Sequence, residues 1–246
     1  MTDNALDRRH LVAGATALLT AAAGEASART INGSKPWEPH RADAPQPLEE
    51  PSLVFFTTVE AAFINAATER LIPADGLGPG ANRCGVTLFI DHQLAGAYGR
   101  AQSWYMQGPW AKGEATQGFQ SRYDPASLYR AAIAAIDAHV HAAEAGKTFA
   151  QLPPEAQDQL LGELEAGKIE LQGVDSKTFF TLLMLNTKEG MFCDPIYGGN
   201  KDMAGWKMLG FPGARYDYRS WVGRHGQRYS EPPVGLKGRP AWTHKG

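Results

Sequence analysis

The sequence has no excess of positive charge and no long hydrophobic run. Its 246 residues include 24 Lys plus Arg and 26 Asp plus Glu, which gives a formal net charge of −2. Nucleic-acid-binding proteins usually carry a basic excess, so this balance argues against that class. Apolar residues make up 43% of the chain, enough for one core of ordinary size and atypical of a disordered chain. The length fits one domain or at most two.

The common catalytic and cofactor motifs are also absent from the sequence: it contains no P-loop, GxSxG, HExxH, CxxC or CxxCH. The glycine-rich stretch 76–80 differs from GxGxxG and falls between predicted helices, so dinucleotide binding gains no support. His139 and His141 project about 200° apart on a helix, which prevents joint metal ligation. Asp91 and His92 lack a spaced third ligand and are interpreted as surface or boundary residues. We therefore predict no catalytic, cofactor-binding or metal-binding residue in this chain.

Glu189 and Asp194 are the two carboxylates that fit catalysis best. They lie five residues apart across a predicted glycine turn. An acid/base pair is one interpretation, and hydrogen bonds that fix the loop are the more common use of such residues.

The N-terminal residues resemble an export signal. Arg8 and Arg9 precede a weakly apolar run over residues 11–23, and Ala26 and Ala28 provide a small-x-small cleavage site. As a helix the run would be roughly 20 Å long, short of a hydrocarbon core of about 30 Å, so a permanent anchor is disfavoured. The paired arginines indicate a twin-arginine (Tat) signal, which exports folded cargo. A general secretory signal and a cytosolic N-terminus are the alternatives.

The pattern of the chain predicts four regions. Residues 1–28 form the signal and 29–51 a proline-rich linker or arm. Residues 52–210 form one helical domain, and 211–246 an extended basic and aromatic arm. This last region contains seven Lys or Arg, two acidic residues and five Tyr or Trp. Arg and aromatic residues are favoured at interfaces, so we expect a partner contact; a tail folded onto its own domain, or disordered, is the alternative.

Apolar residues at helical spacing predict about five helices in the domain. A capping box at Thr57 opens the first, which ends at Pro73. The others run from Val86 to Gly99, from Asp124 to Gly146, from Pro154 to Gly167 and onward from Asp175. The last has little polar face and should be the central helix. Period-two alternation is lacking, so the fold class is mostly α: a single helical-bundle domain with extended N- and C-terminal arms.

Residues 186–213 form the richest segment. Six glycines and two prolines require special backbone angles there, and large aromatic residues supply apolar anchors. Such a loop is a good binding surface, although it could equally plug the base of the bundle. The predicted partner-binding residues are Asp194, Pro195, Tyr197, Gly198, Gly199, Asn200, Trp206 and Phe211.

Several motifs resemble those of the gluconate 2-dehydrogenase subunit 3 family, over about residues 55–215. They are TKEG at 187–190, DPIYGGN at 194–200, GWK at 205–207 and GFPG at 210–213, preceded by ERLIPAD at 69–75 and GPGA at 78–81. A Tat-type leader is a further similarity.

The resemblance implies a non-catalytic small (gamma) subunit of a periplasmic dehydrogenase complex on the inner membrane. Its partners would be a large FAD-binding subunit, a multihaem cytochrome c subunit and the Tat translocase, with membrane contact only through the complex. The complex would oxidise D-gluconate to 2-dehydro-D-gluconate and pass electrons to cytochrome c and quinone. This subunit would support folding and export of the flavoprotein. The alternatives are the small subunit of a related glucose, fructose or sorbitol dehydrogenase, and a stand-alone periplasmic enzyme that uses Glu189 and Asp194.

Export bears on the two cysteines, Cys84 and Cys193. In an oxidising compartment they have only each other as intrachain partners, so we expect a disulfide. It would close a loop of about 110 residues, worth roughly 4 to 5 kcal/mol in chain entropy. Two buried free thiols are the alternative.

Overall fold

The computed structural model describes residues 52–111, 113–114, 116–215 and 217–236. The predicted signal residues Arg8, Arg9, Ala26 and Ala28, the linker 29–51 and the end of the C-terminal arm lie outside these ranges.

The described ranges contain six α-helices and no β-strand, which confirms the mostly-α, single-domain prediction. None of these helices has the length and apolar character needed to cross a bilayer. Short 3-10 turns occur at Phe149–Gln151, Pro195–Tyr197, Lys201–Met203 and Arg219–Trp221. The helices are α1 (Thr58–Leu71), α2 (Val86–Ala95), α3 (Pro125–Ala143), α4 (Pro154–Glu165), α5 (Ser176–Phe192) and α6 (Ala204–Leu209).

Three helices begin at side-chain caps that the sequence predicts. Thr57 and Glu60 form a reciprocal capping box at the start of α1. Asp124 accepts a hydrogen bond from Ser127 N at 2.7 Å, and Asp175 accepts one from Thr178 N at 2.6 Å. Each cap satisfies a backbone N–H that has no partner within its helix, a contribution of about 1 kcal/mol.

Helix α5 is the central helix, as its apolar composition predicts. It packs against α1, α2, α3 and α4. Phe179 is fully buried, and its ring lies against those of Phe63 and Tyr129 at centroid distances of 6.3 and 5.4 Å. Burial of such a side chain stabilises the fold by about 2 to 3 kcal/mol. The remaining helices therefore surround a core organised on α5.

The ends of α2 and α5 differ from the predictions. Helix α2 ends at Ala95, one turn earlier than predicted. Helix α5 continues through Gly190, which lies inside the helix and not in a turn. A Cβ at Gly190 would lie 2.9 Å from Phe89 Cδ1. Glycine is needed at this position because α2 crosses α5 at very short range, and this contact lies far outside any sequence window.

The burial of Asp91 also differs from the prediction, because the residue is completely buried and does not lie at the surface or boundary. Its carboxylate accepts hydrogen bonds from the backbone N–H groups of Val54 (2.7 Å), Phe55 (3.0 Å) and Phe56 (2.7 Å). Arg130 donates to the Phe55 carbonyl at 2.7 Å and lies over the Phe55 ring. These contacts attach the segment before α1 to the domain.

Within the predicted C-terminal arm, residues 232–236 return to contact the domain. Ala214 N donates to Val234 O at 2.7 Å, and Val234 N donates to Pro212 O at 3.2 Å. Leu236 N donates to Asp194 Oδ2 at 2.7 Å, and Val234 is buried. Residues 232–236, which we call the strap, are thus attached to the domain by backbone hydrogen bonds.

Candidate functional site

Residues 193–213, which we call the motif loop, follow α5 and are held by a buried asparagine. Asn200 is fully buried in a left-handed backbone conformation, with φ at 47°. Its Nδ2 donates to Cys193 O at 2.8 Å, and its Oδ1 accepts from Gly205 N at 2.9 Å. Its own N–H donates to Gly190 O at 2.8 Å. One side chain therefore closes the loop onto the end of α5.

The glycines beside Asn200 allow the loop to approach the bundle. A Cβ at Gly199 would lie 2.2 Å from Gly190 O, so only glycine fits there. Gly198 has φ at 94°, which favours glycine, and Lys201 N donates to Cys84 O at 3.0 Å. The Gly-Gly-Asn sequence thus packs the loop between the start of α2 and the end of α5.

Trp206 fixes the second half of the motif loop. It is buried, and its indole N–H donates to Phe192 O at 2.7 Å. The Phe211 ring packs edge-on against it at a centroid distance of 5.2 Å. A Cβ at Gly205 would lie 2.3 Å from Met191 O, and one at Gly213 would lie 2.8 Å from the Trp206 ring. The glycines of the GWK and GFPG motifs therefore allow the Trp206 ring to pack against the end of α5.

Asp194 joins the motif loop to the strap. Its Oδ1 accepts from Ile196 N at 3.0 Å and caps the Pro195–Tyr197 turn, while its Oδ2 holds Leu236 N. A Cβ at Gly235 would lie 3.8 Å from Pro195 Cδ, so the strap passes beside this turn.

The residues predicted to bind a partner therefore divide into three groups by burial. Gly198, Gly199, Asn200 and Trp206 are buried, and their contacts hold the loop against the bundle. Asp194 and Pro195 are half-buried in the turn. Tyr197 and Phe211 are exposed, at 52% and 47%.

Three further apolar residues of this region are exposed and were not identified from the sequence. These three residues are Ile196, Leu209 and Leu236. Together with Tyr197 and Phe211 they form what we call the loop surface. Their exposure depends on which side of the loop the buried residues Asn200 and Trp206 occupy. The periodicity of the sequence does not report this.

Glu189 and Asp194 bond to different groups. Glu189 is exposed, and its Oε2 accepts from Asn186 Nδ2 at 2.9 Å. The buried Asn186 also accepts from Tyr129 OH at 2.8 Å and donates to Tyr98 OH at 2.9 Å. Burial raises the pKa of Tyr98 to about 12 and the pKa of Tyr129 well above its usual value. This network connects α3, α5 and the segment after α2, and it was not predicted.

The disulfide prediction is wrong: Cys84 and Cys193 are both free thiols. Cys84 Sγ faces Pro79 O at 3.9 Å, and Cys193 Sγ faces Gly190 O at 3.6 Å. Each sulfur thus has a separate backbone partner, although both cysteines border the motif loop. Burial raises the pKa of Cys84 and raises that of Cys193 to about 12, which keeps both thiols protonated at neutral pH.

No group of three or more His, Cys, Asp or Glu within the described part of the chain has a metal-binding arrangement. The predictions that this chain holds no cofactor and no catalytic residue remain predictions.

Comparison with known proteins gives one match. The family model for gluconate 2-dehydrogenase subunit 3 matches residues 58–213, which run from the start of α1 to the last residue of the motif loop. No curated protein and no solved structure matches significantly. Since the matched residues make up more than half of the sequence and contain all six helices, this chain belongs to the gluconate 2-dehydrogenase subunit 3 family.

Proposed function

We propose that this chain is the non-catalytic small subunit of a periplasmic, FAD-dependent dehydrogenase complex on the inner membrane. The family match over residues 58–213 carries this proposal. The partners are a large FAD-binding subunit and a multihaem cytochrome c subunit. D-Gluconate is the first substrate to test, with 2-dehydro-D-gluconate as product and cytochrome c and quinone as electron acceptors.

The use of polar groups in the motif loop supports a structural role. Asn200 and Trp206 bond to the backbone of the same chain, and Asp194 caps a turn and holds the strap. Glu189 bonds to Asn186. These side chains thus bond within the domain, while Tyr197 and Phe211 are exposed and belong to the loop surface.

The loop surface is the proposed contact with the flavoprotein. Its exposed residues include two aromatic and three aliphatic side chains, and aromatic side chains in particular contribute strongly to interfaces. A stable interface buries about 800 Å² on each partner, so these residues would form its centre. The subunit would then stabilise the folded flavoprotein by binding to it.

Export of the flavoprotein is the second part of the proposal. The signal-like residues 1–28 would direct this subunit to the Tat translocase, and a bound large subunit without its own signal would cross with it. Only an export route for folded proteins can carry a bound pair of subunits on one signal. This requirement supports a Tat signal with paired arginines.

The test of export is replacement of Arg8 and Arg9 by lysine. Both this chain and the large subunit should then remain in the cytoplasm, as measured by fractionation and immunoblot. Replacement of Arg29 and Arg41 by lysine, beyond the cleavage site, is the matched control and should leave export normal. Normal export of the large subunit from the Arg8→Lys/Arg9→Lys strain would contradict the proposal.

The test of the interface is co-purification of the large subunit. Tyr197→Ser/Phe211→Ser should weaken association by about thirtyfold or more, because the loss of central aromatic residues costs at least about 2 kcal/mol. Val59→Ser/Tyr105→Ser, which alters two exposed residues elsewhere on the domain, is the control. The wild-type complex should contain FAD and oxidise D-gluconate; oxidation of glucose, fructose or sorbitol instead would correct the substrate.

A further inference from the structure

Beyond the residues matched by the family, the C-terminal region forms a small lobe organised on one tyrosine. The Tyr229 ring lies 5.7 Å from that of Tyr218 and 4.7 Å from that of Trp221, between centroids. The Arg215 guanidinium lies over the same ring at 5.5 Å. We call Arg215 and residues 217–231 the aromatic lobe. These contacts give it a defined shape outside the helical core.

The tip of the aromatic lobe is an exposed turn with an apolar residue. Val222 follows the Arg219–Trp221 turn and is 72% exposed. Arg224 N donates to Trp221 O at 2.9 Å and closes the turn behind it. Every residue from 222 to 228 is exposed, so the turn projects from the lobe.

Exposed arginines follow Val222 along the turn. Arg224 and Arg228 are exposed, and the Arg224 guanidinium lies 4.8 Å from the centroid of the Trp221 ring. Arg219 is exposed as well, but its guanidinium is paired with the Asp217 carboxylate at 2.6 Å. Residues 215–231 contain four arginines and two acidic residues. The sequence that follows adds two lysines, one arginine and a tryptophan over residues 237–246, with no acidic residue. The C-terminal region is therefore basic on a chain whose net charge is −2.

We infer that the aromatic lobe binds the surface of an anionic phospholipid bilayer. Val222 enters the interface, Trp221 and Tyr218 lie at the level of the headgroups, and Arg224 and Arg228 bond to lipid phosphates. Trp and Tyr prefer this level because one end of each side chain is apolar and the other polar. Guanidinium groups bind phosphate oxygens in pairs, and the surface potential of anionic lipids attracts them.

The shape of the lobe favours a bilayer over an acidic protein as its occupant. A projecting turn with one aliphatic residue buries little area against a folded partner, and a stable protein interface needs about 800 Å² on each side. A bilayer requires no matching cavity, and it accepts a small apolar tip that is followed by exposed basic residues. The contact is made by this chain itself, which differs from the expectation, implied by the family resemblance, of membrane contact only through the complex.

The test is flotation of the full chain, purified without partners, with lipid vesicles. It should float with vesicles that contain phosphatidylglycerol and not with vesicles of phosphatidylcholine alone. Arg224→Gln/Arg228→Gln should lower the partition coefficient roughly thirtyfold, and Val222→Ser should lower it roughly tenfold. Binding should weaken as salt is raised and should be unaffected by millimolar inorganic phosphate.

Two controls carry matched changes at exposed positions outside the lobe: Arg83→Gln/Lys168→Gln and Val59→Ser. Equal loss of flotation in a control and its matched lobe variant would overturn the inference. The absence of flotation with anionic vesicles would also overturn it. If Arg224→Gln/Arg228→Gln lost binding to the large subunit but still floated, the lobe would be a protein contact and the inference would be wrong. Loop-surface variants should float normally, so failure of the proposed function and failure of this inference are distinguishable.

Discussion

Asn200 and Gly205 are joined by a hydrogen bond of 2.9 Å from the Gly205 N–H to the Asn200 side-chain oxygen, within a buried part of the motif loop. The same side chain donates to Cys193 O. Asn200 therefore links the start of the loop to the start of α6. A short polar side chain that tolerates φ of 47° combines both requirements, which is the reason for asparagine between Gly199 and Lys201.

The first prediction concerns Asn200. Asn200→Ala should lower the free energy of unfolding by about 3 kcal/mol, because it leaves the Cys193 carbonyl and the Gly205 N–H without partners and because alanine tolerates the left-handed region less well than asparagine. Asn200→Gly should cost about 1 kcal/mol less, since glycine removes the backbone strain but not the lost hydrogen bonds. Urea unfolding monitored by circular dichroism measures both. Lys207→Ala, at an exposed position, is the control, and equal stability of all three variants would refute this role of Asn200.

The second prediction concerns Asp91 and the segment before α1. Asp91→Ala should lower the free energy of unfolding by about 3 kcal/mol, because three N–H groups lose a charged acceptor and the buried Phe56 amide has no access to water. Asp91→Asn keeps one acceptor oxygen and should cost about half as much. Hydrogen exchange at residues 54–56 should accelerate in both variants. Unchanged protection of these amides would show that another group holds the segment; Glu165→Ala, on the exposed end of α4, is the comparison.

Short-range sequence patterns predict most of the helices and their caps. The features that they do not predict arise from contacts between residues far apart in the sequence. Thr57, Asp124 and Asp175 act within three residues of their positions, so their caps are readable from the sequence. Asp91 accepts from amides 35 to 37 residues away, and no periodicity reports that. The motif loop combines both cases: its glycines indicate special geometry, while the identity of the buried and exposed residues depends on packing against α5.

The third prediction concerns the contact between α2 and α5. Gly190→Ala should lower the free energy of unfolding by about 1 to 2 kcal/mol, because its Cβ would overlap the buried Phe89 ring, and the gain in helix propensity offsets only part of this. Gly162→Ala on α4 is the matched control: nothing lies within 4 Å of its Cβ, so it should be stabilising by up to about 1 kcal/mol. Thermal unfolding of the pair tests the difference. A stabilised Gly190→Ala variant would mean that α2 does not approach α5 as described.

The disulfide prediction for the two cysteines rests on compartment chemistry and fails because the sulfurs face different partners. Expected export favours oxidation, and Cys84 and Cys193 do border the same loop. Their sulfurs nevertheless face Pro79 and Gly190, which lie on different segments. A disulfide needs Cβ atoms about 3.8 Å apart with suitable vectors, and pairing by elimination carries no information on either quantity.

The fourth prediction follows from this burial. Native chain should contain two free thiols, detected by non-reducing mass spectrometry, and at pH 8 a thiol reagent should modify Cys193 far more slowly than in urea. Burial raises the pKa of Cys193 from 9.0 to about 12, so the thiolate fraction at pH 8 falls roughly a thousandfold. The protonated thiol is favoured in the folded state; its contribution to stability is complete below pH 9 and is lost as pH rises from 9 towards 12. Cys193→Ser should reduce the alkaline loss of stability in urea unfolding curves, and the remainder belongs to Cys84, Tyr98 and Tyr129, whose pKa values burial also raises. Cys84–Cys193 linked peptides in the native digest would contradict the structure.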